Sequence, residues 1–195
     1  MVDLKRGRPR TFDRAAALET ATRLFWARGY DSVSIADLTA ALGISTPSLY
    51  AAFGDKRTLF FEAVDHFQDA YGLALGVDQS AREAVHQLLR DAAAAYTDPG
   101  LPPGCMVTSG AVNTTAESAD IGAALAKRRK DLQQAITRRI RRAVRTGELP
   151  QNTDVSGLAG FYTATVQGMS QRARDGASRR ELQAVAETAM RAWPD

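Results

Sequence analysis

The chain is poor in cysteine, in histidine and in long apolar runs. Its 195 residues include one cysteine, Cys105, and two histidines, His66 and His86. A single cysteine excludes an intrachain disulfide and suits a reducing compartment, and so few thiols and imidazoles predict neither a metal site nor a cofactor. No run approaches the ~20 apolar residues that cross a bilayer, and the polar start MVDLKRGRPR lacks the apolar segment of a secretory signal. We therefore expect a cytoplasmic protein without a membrane partner.

The chain also lacks the motifs of common catalytic sites. It contains no G-x-S-x-G, no P-loop and no G-x-G-x-x-G. It has neither the acidic cluster nor the activated serine that nucleic-acid processing would need. We predict no catalytic residues and interpret the protein as a non-enzyme.

Strand-like alternation is absent as well, and helical periodicity dominates. The pattern predicts an all-α fold, with three short N-terminal helices and a larger helical part, interrupted by the proline- and glycine-rich stretch DPGLPPG. We expect about nine helices, over about 13–29, 34–42, 45–53, 55–72, 80–96, 105–114, 118–146, 153–174 and 178–193.

The stretch ADLTAALGISTPSLYAAFGDK contains two short helical runs. Helices of this length are unstable alone, so they must pack on each other and on the first helix. Ser34 and Asp37 form a capping box before the first run. Gly43 suits a left-handed residue at its end, and Ser45 caps the second run. This arrangement predicts a helix-turn-helix whose second helix can enter a DNA major groove.

Polar side chains on the outer face of this helix-turn-helix fit contacts with double-stranded DNA. Serine and threonine hydroxyls can bond bases or phosphates, and Pro47 offers apolar contact to a thymine methyl. Tyr50 can bond a phosphate, and Lys56 opens the next helix, where its charge and free N–H groups can face one phosphate. The predicted DNA-binding residues are Arg6, Arg8, Ser34, Ser45, Thr46, Pro47, Ser48, Tyr50 and Lys56.

Positive charge is concentrated in two segments. Residues 3–14 carry five basic and two acidic side chains, and residues 127–145 carry nine basic and one acidic. Because the whole chain has a net charge of +3, the remainder is acidic. The first segment fits an arm that contacts phosphates or a minor groove. For the second we favour a solvated helix face over a second nucleic-acid surface. Attraction of an anionic ligand and pairing with the acidic remainder stay open as alternatives.

Residues of about 6–68 resemble the DNA-binding domain of the TetR family of transcriptional regulators. The matching features are LFWARGYDSVSIADL, the GIS turn, SLYAAFGDK and the leucine at 59. Ala51 and Ala52 depart from the family pattern, which often has His, Arg or Tyr there. This departure implies fewer phosphate contacts and gives Tyr50 and Lys56 more weight. GCMVTSGAVN resembles a motif of one branch of the family, from which we infer no inducer.

The resemblance implies a homodimeric regulator that binds a near-palindromic operator and is released by an unknown small-molecule effector, more often a repressor than an activator. It divides the chain into a basic arm (1–12), a helix-turn-helix domain (13–56) and an effector-binding and dimerisation domain (57–195). Candidate pocket residues are Phe67, Tyr71, Leu88, Tyr96, Met106 and Asn113. Candidate dimer residues are Leu158, Phe161, Tyr162, Val166, Met169, Leu182, Val185 and Met190. All of these side chains also suit a simple core.

Two other functions stay open. One is a DNA-binding protein without an effector, or an activator. The other is a nucleic-acid enzyme that borrows a helix-turn-helix. Cys105 at a helix start could be a redox sensor, but we favour a packed apolar residue because no second cysteine can resolve a disulfide.

Overall fold

The structure, a computed structural model, describes residues 13–112 and 114–194, and every regular element within them is helical. The predicted all-α class is confirmed. Two 3-10 turns, Ala116–Ser118 and Met190–Ala192, accompany the α-helices. In these residues there are nine α-helices: α1 (Arg14–Arg28), α2 (Ile35–Leu42), α3 (Thr46–Phe53), α4 (Lys56–Tyr71), α5 (Ala81–Ala95), α6 (Met106–Ser109), α7 (Ala119–Thr146), α8 (Val155–Arg174) and α9 (Arg179–Ala189).

Side-chain caps set the start of the N-terminal helices, and those of α2 and α3 are the ones that the sequence predicts. The Asp13 carboxylate accepts two backbone N–H groups of the first turn of α1, at 3.0 and 3.1 Å. Ser34 and Asp37 form the predicted capping box of α2. The Ser45 hydroxyl accepts the Ser48 N–H at 3.3 Å at the start of α3. Each cap satisfies donors that have no partner inside the helix.

The buried apolar side chains form two clusters. The lower core joins α1 to α4 with α6 and the first turns of α7, and the upper core joins α5, α8 and α9 with the rest of α7. Helix α4 contributes Leu59, Phe60 and Phe67 to the lower core. The helix-turn-helix and part of the region beyond residue 56 therefore pack as one unit.

Helix α6 is shorter than predicted. It spans Met106–Ser109 instead of 105–114, and Gly110 is its C-cap, whose N–H makes the last helical bond, to the Met106 carbonyl at 2.7 Å. The Gly110 carbonyl turns away from the helix and accepts the Tyr30 N–H at 2.9 Å. A contact with the α1–α2 loop thus replaces the continuation of the helix.

No helix in the part of the chain that the structure describes is both long enough and apolar enough to cross a membrane.

Candidate nucleic-acid interface

The turn between α2 and α3 is built on Gly43, which has φ of 64° and ψ of 33°. This left-handed conformation favours glycine because it has no Cβ. Leu38 and Leu49 are fully buried, and Phe53 is 2% exposed. These side chains fix the orientation of α3 on the lower core.

The opposite face of α3 is open to solvent. Thr46, Pro47 and Ser48 in its first turn are exposed, and Tyr50 is 46% exposed. The Ser45 and Ser48 hydroxyl oxygens lie 2.8 Å apart and share a hydrogen bond. The N-terminal turn of α3 therefore presents a row of hydroxyls and one proline ring, which suits contact with base edges and phosphates.

Lys56 and Ser34 already have partners within the protein. The Lys56 Nζ lies 4.1 Å from the centre of the Tyr30 ring, and burial lowers the pKa of this ammonium against the opposing effect of the Asp31 charge. The Ser34 N–H donates to the Asp37 carboxylate at 2.8 Å. Phosphate contacts from Lys56 and Ser34 stay predictions. Arg6 and Arg8 lie outside the described residues.

Contacts between distant residues, which the sequence does not predict, stabilise the position of the helix-turn-helix. Arg14 donates from Nε to the Ala52 carbonyl at 3.2 Å and from Nη2 to the Glu62 carboxylate at 2.6 Å. Arg57, exposed at the start of α4, pairs with Asp120 of α7. The partners are far apart in the sequence, so no local pattern could have revealed them.

A second set of contacts joins the α1–α2 loop to the segment after α6. The Asp31 carboxylate accepts the Ser118 hydroxyl at 2.7 Å, beside the bond between Tyr30 and Gly110. Gly29 has φ of 81°, and a Cβ there would lie 3.1 Å from the Gly110 carbonyl oxygen. The α1–α2 loop is thus bonded directly to residues that follow α6.

Two cavities open beside the connection between α4 and α5. Their volumes are about 760 and 430 Å³. Three of the predicted pocket residues line them: Phe67 and Tyr96 line both, and Tyr71 lines the larger. Leu73 also lines both, and helical periodicity could not have indicated it because it lies after the end of α4. Cavities of this size are typical of small-molecule sites.

The other predicted pocket residues lie elsewhere. Leu88 is 1% exposed in the upper core, and Met106 is fully buried in the lower core. Neither is among the residues that line the two cavities. Asn113 is outside the described residues. Helical periodicity separates inside from outside, but it does not distinguish a packed interior from a cavity wall.

A polar cluster lies at the edge of the larger cavity. The Tyr71 hydroxyl donates to Glu19 at 2.7 Å, His66 Nε2 lies 2.8 Å from the other Glu19 oxygen, and Arg23 also donates to this carboxylate. Burial raises the pKa of Glu19, but the hydrogen bonds from Arg23, Tyr71 and His66 outweigh it and lower the pKa to about 2. Arg23 also donates to the Gly100 carbonyl at 2.7 Å. The cluster thus joins α1, α4 and the loop before α6.

The predicted dimer residues divide into buried and exposed sets. Phe161 is 43% exposed, and Leu158 and Val185 are half-buried. The buried set belongs to the upper core of the protomer, so it has no surface to offer a second copy. Its members are at most 5% exposed: Tyr162, Val166, Met169, Leu182 and Met190. An apolar groove of about 440 Å³ lies on the exposed side, lined by Phe161, Thr165, Ala184, Val185, Thr188 and Ala189.

Within residues 13–112 and 114–194, no group of three or more His, Cys, Asp or Glu side chains is placed to hold a metal ion. Cys105 is a free, half-buried thiol on the wall of the smaller cavity.

Helices α2 and α3 form a helix-turn-helix in which the outer face of α3 is exposed, and a larger helical region follows. This combination is typical of a DNA-binding regulator. Family profiles agree with this class. The profile described as "Bacterial regulatory proteins, tetR family" matches residues 17–63, and the "Tetracyclin repressor-like, C-terminal domain" matches residues 81–189. The chain belongs to the TetR family of transcriptional regulators.

Individual relatives cover almost the whole chain. The HTH-type transcriptional repressor ComR of Escherichia coli strain K12 is 37% identical, over 100% of this chain and 95% of ComR. The HTH-type transcriptional repressor BdcR of the same strain is 34% identical, over 92% of this chain and 88% of BdcR. A solved structure of the TetR family regulator CifR, a cysteine mutant in complex with 26-bp operator DNA, is 42% identical and has a TM-score of 0.89, covering 96% of this chain and 100% of that one.

Proposed function

We propose that the protein is a homodimeric transcriptional repressor in the cytoplasm, which binds a near-palindromic operator through its helix-turn-helix and is released by a small molecule. The observation that carries this proposal is the exposed first turn of α3, held on a buried frame by Leu49 and Phe53. Relatives that are named repressors, and a similar regulator bound to operator DNA, support the sign of regulation and the partner.

Within this proposal, residues 13–56 read DNA, with Thr46, Pro47, Ser48 and Tyr50 toward base edges and phosphates. The arm, residues 1–12, adds contacts through Arg6 and Arg8. Two copies place their α3 helices in successive major grooves, ~34–36 Å apart on one face of the duplex. The operator is then a near-palindrome whose half-sites share that spacing.

Residues 57–195 bind the effector and form the dimer. The exposed groove with Phe161 and Val185 supports pairing through α8 and α9, because an apolar groove gains stability when a second copy covers it. The two cavities between α4 and α5 support a small-molecule site. An effector shifts the DNA-binding equilibrium only if it binds the released conformation more tightly.

The proposal is tested by selecting bound duplexes from a random pool and measuring affinity for the selected sequence. Ser48→Ala on α3 is compared with Ser156→Ala, because both serines are exposed in the first turn of a helix and only Ser48 lies on the proposed interface. We expect Ser48→Ala to bind about 5- to 10-fold more weakly, as for the loss of one hydrogen bond, and Ser156→Ala to match the wild type. Failure of the wild-type protein to prefer any duplex over bulk competitor would refute the proposal.

The same selected duplex separates repression from the alternatives. In a reporter assay with the operator at a promoter, a repressor lowers expression and an activator raises it. Release by an added small molecule distinguishes a ligand-responsive regulator from an effector-independent DNA-binding protein.

A further inference from the structure

The lining of the smaller cavity indicates which chemical class of effector it could hold. Apolar and aromatic side chains form much of its wall: Phe67, Leu73, Tyr96, Leu132 and Val166. Its polar lining includes two arginines of α7, Arg128 and Arg129. The cavity therefore combines an apolar compartment with guanidinium groups. The inference that follows rests on the proposed effector function.

The two arginines differ in their partners. Arg128 forms an ion pair with Asp65 of α4. Arg129 is half-buried and donates from Nη1 to the Val107 carbonyl at 2.7 Å. In the described part of the chain, no carboxylate lies within 4.0 Å of Arg129 to form an ion pair, and this includes Asp69, the acidic residue of the same lining.

A half-buried guanidinium bound only to a carbonyl oxygen is incompletely neutralised. Guanidinium groups bind carboxylates through two parallel N–H···O bonds, which are stronger than bonds to neutral acceptors. Arg129 has N–H donors beyond the one that Val107 accepts. Arg129 can therefore bind an anion in the same cavity that the apolar side chains line.

We infer that the effector of this protein is a small carboxylate with an apolar body, bound in the smaller cavity with its carboxylate on Arg129. The cavity volume of about 430 Å³ equals the space of about 14 water molecules at ~30 Å³ each. A molecule of about 10 to 14 non-hydrogen atoms fits this space. Medium-chain alkanoates have this size and this division into a charged head and an apolar tail.

The contacts of Arg129 also connect the cavity to the helix-turn-helix, so that ligand binding can affect the position of α2 and α3. Arg129 holds the Val107 carbonyl of α6, and Gly110 at the end of α6 accepts the Tyr30 N–H in the α1–α2 loop. A carboxylate that binds the remaining N–H donors draws the guanidinium toward itself and away from the Val107 carbonyl. The four-residue helix then shifts relative to Tyr30, and with it the base of the helix-turn-helix.

The test uses octanoate and octanamide as probes, because they share a tail and differ in charge at the head. Binding is measured by calorimetry on the full-length protein at fixed ionic strength. The variants are Arg129→Gln, Arg129→Lys and Lys130→Gln; the last removes the same charge from the exposed neighbouring position on α7. Thermal melts establish that each variant is folded.

We expect octanoate to bind the wild type and Lys130→Gln equally and octanamide at least tenfold more weakly, which is the size of effect given by a charge-assisted hydrogen bond. Arg129→Gln loses at least tenfold in octanoate affinity, and Arg129→Lys, which keeps the charge without the planar fork, falls between. Octanoate also weakens operator binding by the wild type.

Equal affinity for octanoate and octanamide, equal affinity of wild type and Arg129→Gln for octanoate, or no octanoate binding at millimolar concentration would overturn the inference. Each of these results leaves the operator affinity of the ligand-free protein untouched. A protein that binds no operator, in contrast, refutes the proposed function itself.

Discussion

Replacing Glu19 by glutamine is a direct test of the polar cluster between α1 and α4. The Glu19 carboxylate accepts hydrogen bonds from Tyr71 and Arg23 and lies 2.8 Å from His66 Nε2. Glutamine keeps the size of the side chain and removes its charge. The change in stability of this variant therefore measures mainly the contribution of the negative charge of Glu19, and packing contributes little to it.

The expected magnitude follows from the lowered pKa. A fall from 4.5 to about 2 corresponds to roughly 3 kcal/mol of preference for the ionised form in the folded state. The Glu19 side chain is 29% exposed, so solvent screening reduces this value, and we expect a loss of about 1–2 kcal/mol at pH 7. For a chain of this length, that loss lowers Tm by roughly 2–8 °C.

The pH dependence separates charge from packing. Because the folded pKa is depressed, the contribution of Glu19 is fully present above pH 4.5 and is lost as the pH falls toward 2. Urea unfolding of wild type and Glu19→Gln is measured between pH 7 and pH 3 at one protein concentration, with Glu117→Gln as a control at an exposed glutamate. The stability difference shrinks toward low pH. A difference that stays constant across this window would refute the argument, since it would mean that the variant lost packing alone.

Four further results are expected. Tyr50→Phe weakens operator binding without lowering Tm; equal affinity would remove the Tyr50 hydroxyl from the interface. Deleting residues 1–10 flattens the salt dependence of operator binding, whereas an unchanged slope would mean that the arm does not touch phosphates. Gly29→Ala, at a φ of 81° and 3.1 Å from the Gly110 carbonyl oxygen, lowers stability by about 1–3 kcal/mol in urea unfolding; a neutral effect would show that the loop relaxes freely. Phe161→Asp converts a dimer into a monomer in sedimentation, and a variant that stays dimeric would place the interface elsewhere.

The sequence predicted local structure well because the signals are local. The caps by Ser34 and Ser45 each involve atoms within three residues, and Gly43 adopts the left-handed conformation that its own turn requires. The exposed first turn of α3 follows from the same information, because capping and apolar periodicity together fix which side faces the core.

What the sequence could not predict depends on contacts between distant elements. Lys56 packs on the Tyr30 ring of the α1–α2 loop, and the carbonyl of Gly110, just after α6, accepts the N–H of the same tyrosine. Tyr162 and Phe161 are adjacent on α8, yet one is buried in the protomer and the other is exposed. An apolar stripe in the sequence does not show whether its side chains are buried within the same chain or against a second copy.

The lower core has a practical consequence for building hybrid regulators. Its apolar contacts run from Phe25 and Leu49 through Phe60 to Ile121 and Leu125, so α1 to α3 share their interior with α7. A chimera that joins residues 13–56 to a foreign effector domain would leave this interior unmatched on one side. A hybrid that keeps the packing of α1 to α3 must therefore also include α4 and the buried residues of α6 and the start of α7.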